Sequence, residues 1–316
     1  GRANQRGQSY DAPAGNSTTD AVQLQSPPTA EMDDADESLA AVAWAAQEAV
    51  LRGSAITLMH VISPMVVTWP IESLEYGYAE WQDTNAQMVI ERAQEALHAA
   101  LGDAEPPRVR AHISHDGIVP ELAAASADSS LLVVGNRGLG PIGGAVLGSV
   151  SRSLLQHAHC PVAVIKAGPA RGREDGARPV LLGVDGSPAS ETATAFAFDA
   201  ASRRGVPLVA LHAWCDLGVF GTLGADWAAH EDQGHEILAE RLAGWQETYP
   251  DVEVRRQLVC DRPARWLIDE SKNAQLVVVG SRGRGGIAGM LLGSVSTAVA
   301  EFSPTPVVVA RGEADA

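Results

Sequence analysis

The second half of the chain alternates short apolar runs with longer amphipathic stretches. The apolar runs are rich in Val and Leu, which is typical of strands buried on both faces of a parallel sheet. The pattern predicts strands at 179–184, 207–213, 252–259, 276–279 and 306–309, and helices at 187–203, 232–249 and 263–272. Strands that alternate with helices in this way predict a parallel sheet covered by helices on both faces. In such sheets ligands collect at the carboxyl ends of the strands.

A glycine pattern occurs twice, with a constant offset of 145 between matched positions. Each copy follows an apolar run that predicts a strand, at 131–134 and at 276–279, and each leads into a stretch that predicts a helix. The two copies are Gly135-x2-Gly138-x9-Gly148-Ser149 and Gly280-x2-Gly283-x9-Gly293-Ser294.

This order of strand, glycine loop and helix start favours a phosphate-binding site. Glycines let a loop bring its own N–H groups close to phosphate oxygens, and a helix N-terminus adds unpaired N–H groups and a partial positive charge. We expect Ser149 and Ser294 to cap the two helices. Turn glycines in a glycine-rich chain are the alternative, and the recurrence of the spacing in the same context weighs against it.

Further matches predict two copies of one domain. Arg52-Gly53 matches Arg204-Gly205, and His60 matches His212, both at an offset of 152. The expected organisation is a disordered segment at 1–20, a first domain at 21–166, a linker at 167–177 and a second domain at 178–312.

Composition narrows the range of functions. The formal net charge of -16 argues against the nucleic-acid backbone as the main partner. The only lysines, Lys166 and Lys272, do not form a Walker A loop, and the three cysteines lack zinc or disulfide spacing. No apolar run is long enough to span a membrane, so we expect no membrane insertion and a cytoplasmic location. We also expect no metal site of protein ligands alone and no catalytic residue.

The second copy resembles a known family. The stretch Val180-Leu181-Leu182-Gly183-Val184-Asp185-Gly186-Ser187, a second strand ending near a His, and the glycine pattern followed by Val-Ser are similar to the tandem universal stress proteins of actinobacterial type. The resemblance implies two tandem doubly wound parallel five-stranded sheets with helices on both faces, of the adenine-nucleotide alpha-hydrolase-like kind. It also implies ATP, with or without Mg²⁺, in the crevice of each sheet.

The implied binding residues follow from the matched motifs. The resemblance places Asp185 near the ribose or adenine, Ala213 against the base and the glycine loop around the triphosphate. The second site then comprises Gly183, Asp185, Ala213, Val279, Gly280, Gly283, Gly293, Ser294 and Val295. The first comprises Asp33, Val61, Val134, Gly135, Gly138, Gly148, Ser149 and Val150.

The first copy departs from the motif in its first strand. The offset of 152 sets Asp33 opposite Asp185, but Glu31 then replaces Gly183, and Pro27-Pro28 fall where a buried strand should begin. Proline cannot donate to a sheet ladder, and nearby carboxylates repel phosphates. We therefore expect a degenerate first strand and a weaker or empty first site.

Three functions remain open. The leading hypothesis is an ATP-binding regulator of stress response or growth, with slow or no hydrolysis and an unidentified protein partner. The alternatives are a slow ATPase or nucleotidyl or phosphoryl transferase on the same fold, and an interaction module with a vestigial first site. The apolar last strands at 161–165 and 306–309 would need cover, and pairing between domains or chains supplies it, so we expect a homodimer.

Overall fold

A computed structural model describes residues 19–24, 35–62, 72–136, 147–168, 177–213, 227–260, 262–283 and 291–311. The chain divides into two compact units. Unit 1 comprises Gly1–Ile142 and Gly148–Cys160, and unit 2 comprises Gly143–Leu147 and Pro161–Ala316.

Among its described residues, unit 1 holds four parallel strands in the order β3-β2-β1-β4. Its elements are β1 (Thr19–Leu24), α1 (Ala35–Arg52), β2 (Ala55–Val61), α2 (Glu72–Leu101), β3 (Val109–Ser114), α3 (Ile118–Ser126), β4 (Ser129–Gly135) and α4 (Ser149–His157). The four residues from Leu131 to Val134 in β4 are fully buried, as expected of a strand covered on both faces.

Unit 2 holds six described strands in the order β5-β10-β9-β6-β7-β8. All neighbours are parallel except β5, which runs antiparallel to β10. Its elements are β5 (Val162–Ile165), β6 (Val180–Val184), α5 (Pro188–Arg204), β7 (Leu208–Ala213), α6 (Trp227–Thr248), β8 (Val254–Val259), α7 (Pro263–Ser271), β9 (Leu276–Gly280), α8 (Ser294–Phe302) and β10 (Val307–Ala310).

The α/β class with parallel sheets flanked by helices is confirmed. A Cβ on Gly280 would touch α5 at Ala189, whereas one on Gly183 would touch α7 at Leu267 and the neighbouring Val279. Because successive side chains of a strand point to opposite faces, Val279 and Gly280 place α7 and α5 on opposite faces of the sheet. The pairing of β5 with β10 gives each of the two last strands a partner within the chain, as their fully buried apolar residues require.

The first strand does not lie where the offset of 152 predicts it. Strand β1 is Thr19–Leu24, and it pairs in parallel with both β2 and β4. The two prolines made a strand at the offset position improbable, and the sheet ladder instead uses the proline-free segment that precedes them. Thr19 and Asp20, which we expected to be disordered, belong to this strand.

Candidate nucleotide site

Asp185 follows β6 directly and is held by the turn that leads into α5. The backbone N–H of Ser187 donates to Asp185 Oδ1 at 2.9 Å, and the N–H of Asp185 donates to Ser190 Oγ at 3.3 Å. Gly186 has φ of 80°, a left-handed conformation that favours glycine. The turn therefore fixes the Asp185 carboxylate at the carboxyl end of the sheet.

The other carboxylate oxygen of Asp185 lies against the glycine loop. A Cβ placed on Gly283 would be 2.5 Å from Asp185 Oδ2, closer than real Cβ contacts come. The absence of a side chain at position 283 is what lets the loop after β9 approach the carboxylate. The structure thus brings together Asp185 and Gly283, two residues predicted for one site.

Helix α8 begins beside this loop. Its N-cap is Gly293, whose N–H donates to Ser281 O at 2.8 Å and whose carbonyl accepts from the N–H of Thr297 at 3.0 Å. The N–H groups of the first helical turn have no acceptor within a helix, so Ser294 and Val295 present donors suited to an anion. The prediction that Ser294 caps the helix was wrong, because glycine occupies the N-cap and Ser294 is the first helical residue.

A second serine, not predicted from the sequence, secures the same helix start. Ser296 Oγ donates to Ser281 O at 2.9 Å, and Ser296 is buried. Its counterpart Ser151 donates to Gly135 O at 2.7 Å. The repeated Ser-Val-Ser at 149–151 and 294–296 is the sequence signal that could have found both.

Two of the predicted site glycines allow close packing around the sheet. A Cβ on Gly280 would be 2.9 Å from the backbone C and O atoms of Ala189, so the glycine allows close contact between β9 and α5. A Cβ on Gly183 would be 3.1 Å from the side chain of Leu267 and 3.2 Å from that of Val279, so this position also has little room for a side chain. These positions shape the sheet from which Asp185 and the glycine loop extend.

The strand next to β6 also ends at this edge. His212 is buried, and its Nδ1 donates to Val184 O at 2.6 Å, which agrees with a structural role for this histidine. Ala213 ends β7 one residue later, in register with Val259 of β8. Val279 is buried in β9, immediately before Gly280.

The first copy has the same helix start. Gly148 is the N-cap of α4; its N–H donates to Asn136 O at 2.8 Å, and its carbonyl accepts from the N–H of Arg152 at 2.9 Å. Ser149 and Val150 begin this helix, so the expected cap by Ser149 was also wrong. Val61 ends β2, and Val134 and Gly135 end β4, whereas Gly138 lies outside the described residues.

The two copies differ in the residue that follows their first strand. Leu24 pairs with His60 as Val184 pairs with His212, so the residue that follows strand one in the first copy is Gln25, where the second has Asp185. Asp33, which the offset of 152 matches with Asp185, lies outside the described residues, so its place in the first site stays a prediction.

The described residues contain no cluster of three or more His, Cys, Asp or Glu that could hold a metal ion. Among those residues, no helix is long and apolar enough to cross a membrane.

Comparison with known proteins identifies relatives over most of the chain. Residues 31–166 and 176–311 each match the Universal stress protein family. A universal stress protein of Mycolicibacterium smegmatis (strain ATCC 700084 / mc(2)155) is 51% identical over 280 residues, covering 89% of this chain and 95% of that protein. One from Mycobacterium tuberculosis (strain ATCC 25618 / H37Rv) is 50% identical over 280 residues, covering 89% and 94%.

Solved structures show the same fold. The crystal structure of a universal stress protein from Archaeoglobus fulgidus DSM 4304 superposes with a TM-score of 0.64 at 21% identity, covering 92% of this chain and 98% of that one. The two family matches and the relatives at about half identity show that this chain belongs to the universal stress protein family, with two such domains in tandem.

Proposed function

We propose that this chain binds ATP at the carboxyl edge of the unit 2 sheet and acts in the cytoplasm as a nucleotide-dependent regulator of stress response or growth. The observation that carries the proposal is the contact between Asp185 and Gly283 beside the N-terminus of α8. A carboxylate that accepts hydroxyl hydrogen bonds then stands next to N–H donors that suit phosphate.

The residues present fit a nucleotide better than a bare anion. A lone phosphate would gain the α8 N–H groups but would be repelled by Asp185, whereas a nucleotide also carries ribose hydroxyls that can donate to this carboxylate. With Asp185 as the carboxylate beside the glycine loop, Mg²⁺ would be held largely by phosphate oxygens and water, which is its usual mode of binding with nucleotides.

Binding without rapid turnover is the activity that these residues support. The described side chains at this edge are the Asp185 carboxylate, which already accepts from Ser187, serine hydroxyls, Arg282, and the buried His212, whose Nδ1 is bonded to Val184 O. None of these is an evident general base for a water nucleophile. The nucleotide would then set the conformation or the choice of an unidentified protein partner.

The residues of unit 1 favour a different role for that unit, in interaction rather than in nucleotide binding. It retains the helix start at Gly148, but Gln25 is the residue that follows its first strand, whereas Asp185 follows the first strand of unit 2. We infer that its site binds ATP weakly or not at all and that this unit serves mainly in interaction, including assembly of a homodimer.

Calorimetric titration of ATP tests the proposal directly. We expect tight binding to the parent chain and a large loss of affinity in Asp185→Asn, with mass spectrometry identifying an adenine nucleotide released from the purified protein. Asp199→Asn is the matched control, because Asp199 lies on α5 and pairs with Arg203 at 2.7 Å. A parent chain that binds no nucleotide, or equal losses in both variants, would contradict the proposal.

A further inference from the structure

Ser187 connects two segments that are far apart in sequence. Its Oγ accepts from the N–H of Ser190 at 3.2 Å as the N-cap of α5. The same hydroxyl donates to Arg282 O at 3.1 Å, across 95 positions of the chain. A single side chain thus joins the start of α5 to the glycine loop after β9.

The backbone of Ser187 also orients the carboxylate of the site. Its N–H holds Asp185 Oδ1, which leaves Oδ2 to face Gly283, the residue after Arg282. The two loops that form the crevice therefore meet at two adjacent points. One is the hydroxyl bond to Arg282, and the other is the approach of Asp185 to Gly283.

We propose that Ser187 is a positioning residue of the unit 2 site, whose hydroxyl holds the glycine loop against Asp185 before the nucleotide arrives. The proposal rests on the proposed nucleotide function and deepens it. A loop that is already placed loses less conformational freedom when a ligand binds, so the hydroxyl raises affinity without touching the nucleotide.

Three variants of the full chain test this role. Ser187→Ala removes the hydroxyl, Ser187→Thr retains it, and Thr194→Val removes a different buried hydroxyl from the same helix. Thr194 Oγ1 donates to Ser190 O at 2.7 Å, so its loss perturbs α5 without breaking the bond to the loop. Each variant is titrated with ATP, and thermal unfolding and backbone amide exchange at 281–283 are measured without nucleotide.

We expect Ser187→Ala to weaken ATP binding by about threefold to tenfold, the value of one neutral hydrogen bond. Amide exchange at Gly283 should rise in the same variant. Ser187→Thr should restore both properties, and Thr194→Val should lower the unfolding temperature while leaving both near the parent values.

Unchanged affinity and exchange in Ser187→Ala would overturn the positioning role, as would an equal loss of affinity in Thr194→Val. If the parent chain binds no ATP, the proposed function fails. The exchange measurement then decides by itself whether Ser187 holds the loop.

Discussion

Asp185 directly follows strand β6, whereas Gln25 follows strand β1, and this difference predicts different effects of Asp185→Ala and Asp33→Ala on ATP binding. Asp185→Ala should weaken binding by roughly tenfold to a hundredfold, because it removes one charge-assisted hydrogen bond of about 1.5 to 3 kcal/mol. Asp33→Ala should change affinity little, since Gln25 rather than Asp33 follows strand β1. Calorimetry on both variants measures the contrast.

Gly293→Ala is a second test of the same site. A Cβ there would be 3.2 Å from Ser296 Oγ and 3.3 Å from Ser281 O, so the start of α8 would have to shift and ATP binding should weaken.

The contrast between the two aspartates has a contradicting outcome. Equal losses in Asp33→Ala and Asp185→Ala, with two tight sites in the parent, would mean that the N-terminal segment completes a working first pocket.

Gly280 and Gly135 provide a matched pair for stability. Gly280→Ala should destabilise the protein by about 1 to 3 kcal/mol, because its Cβ would press on the Ala189 backbone at 2.9 Å. Gly135→Ala should cost less, since the nearest backbone atoms, of Glu37, lie at 3.3 Å. Urea unfolding measures both changes, and a larger cost at Gly135 would contradict the packing role assigned to Gly280.

At the scale of elements, Lys166 links the end of β5 to the last turn of α8. Its Nζ donates to Glu301 O at 2.6 Å and to Ser303 O at 2.7 Å, and a cation at a helix C-terminus is also favoured by the helix dipole. Lys166→Met should therefore lower the free energy of unfolding by about 1.5 to 3 kcal/mol.

The other lysine is the control for this prediction. Lys272 is 61% exposed and pairs with Asp269 at 3.0 Å on the surface of α7. Lys272→Met should change the free energy of unfolding by no more than about 0.5 kcal/mol. Equal effects of the two substitutions in denaturant titrations would show that Lys166 does not stabilise the end of α8.

At the scale of the whole molecule, the site predicts slow chemistry. ATP hydrolysis should be far slower than the range of about 1 to 1,000 per second typical of enzymes, because none of the described side chains beside the glycine loop is an evident general base. Release of phosphate from ATP by protein freed of contaminating ATPases measures the rate. Turnover of about 1 per second or faster that disappears in Gly283→Ala would overturn the binding-protein interpretation.

Self-association is a separate prediction for the whole chain. Because β5 and β10 already pair with each other, a second chain would have to bind elsewhere. Trp81 and Met88 on α2 are 46% and 49% exposed, and covering them would remove apolar surface from water. Sedimentation at micromolar concentration should give twice the chain mass of 33.0 kDa, whereas the mass of a single chain would contradict a homodimer.

The sequence by itself determined those strands and helix starts that depend only on neighbouring residues in the chain. Apolar runs located β4 and β9, the Ser187-Pro188 pair located the start of α5, and the repeated glycines located the starts of α4 and α8 to within one residue. These features depend on short-range periodicity and backbone preferences, which neighbouring residues specify.

Only the tertiary structure decided which distant segments meet. It set β1 at Thr19–Leu24, paired β5 with β10, and brought Ser187 to Arg282 and Asp185 to Gly283. A constant offset between repeats could not place β1, because the connection to α1 spans positions 25–34 in the first copy but only 185–187 in the second. Strand pairing and loop contacts depend on the free energy of the whole sheet, which the residues next to a strand do not specify.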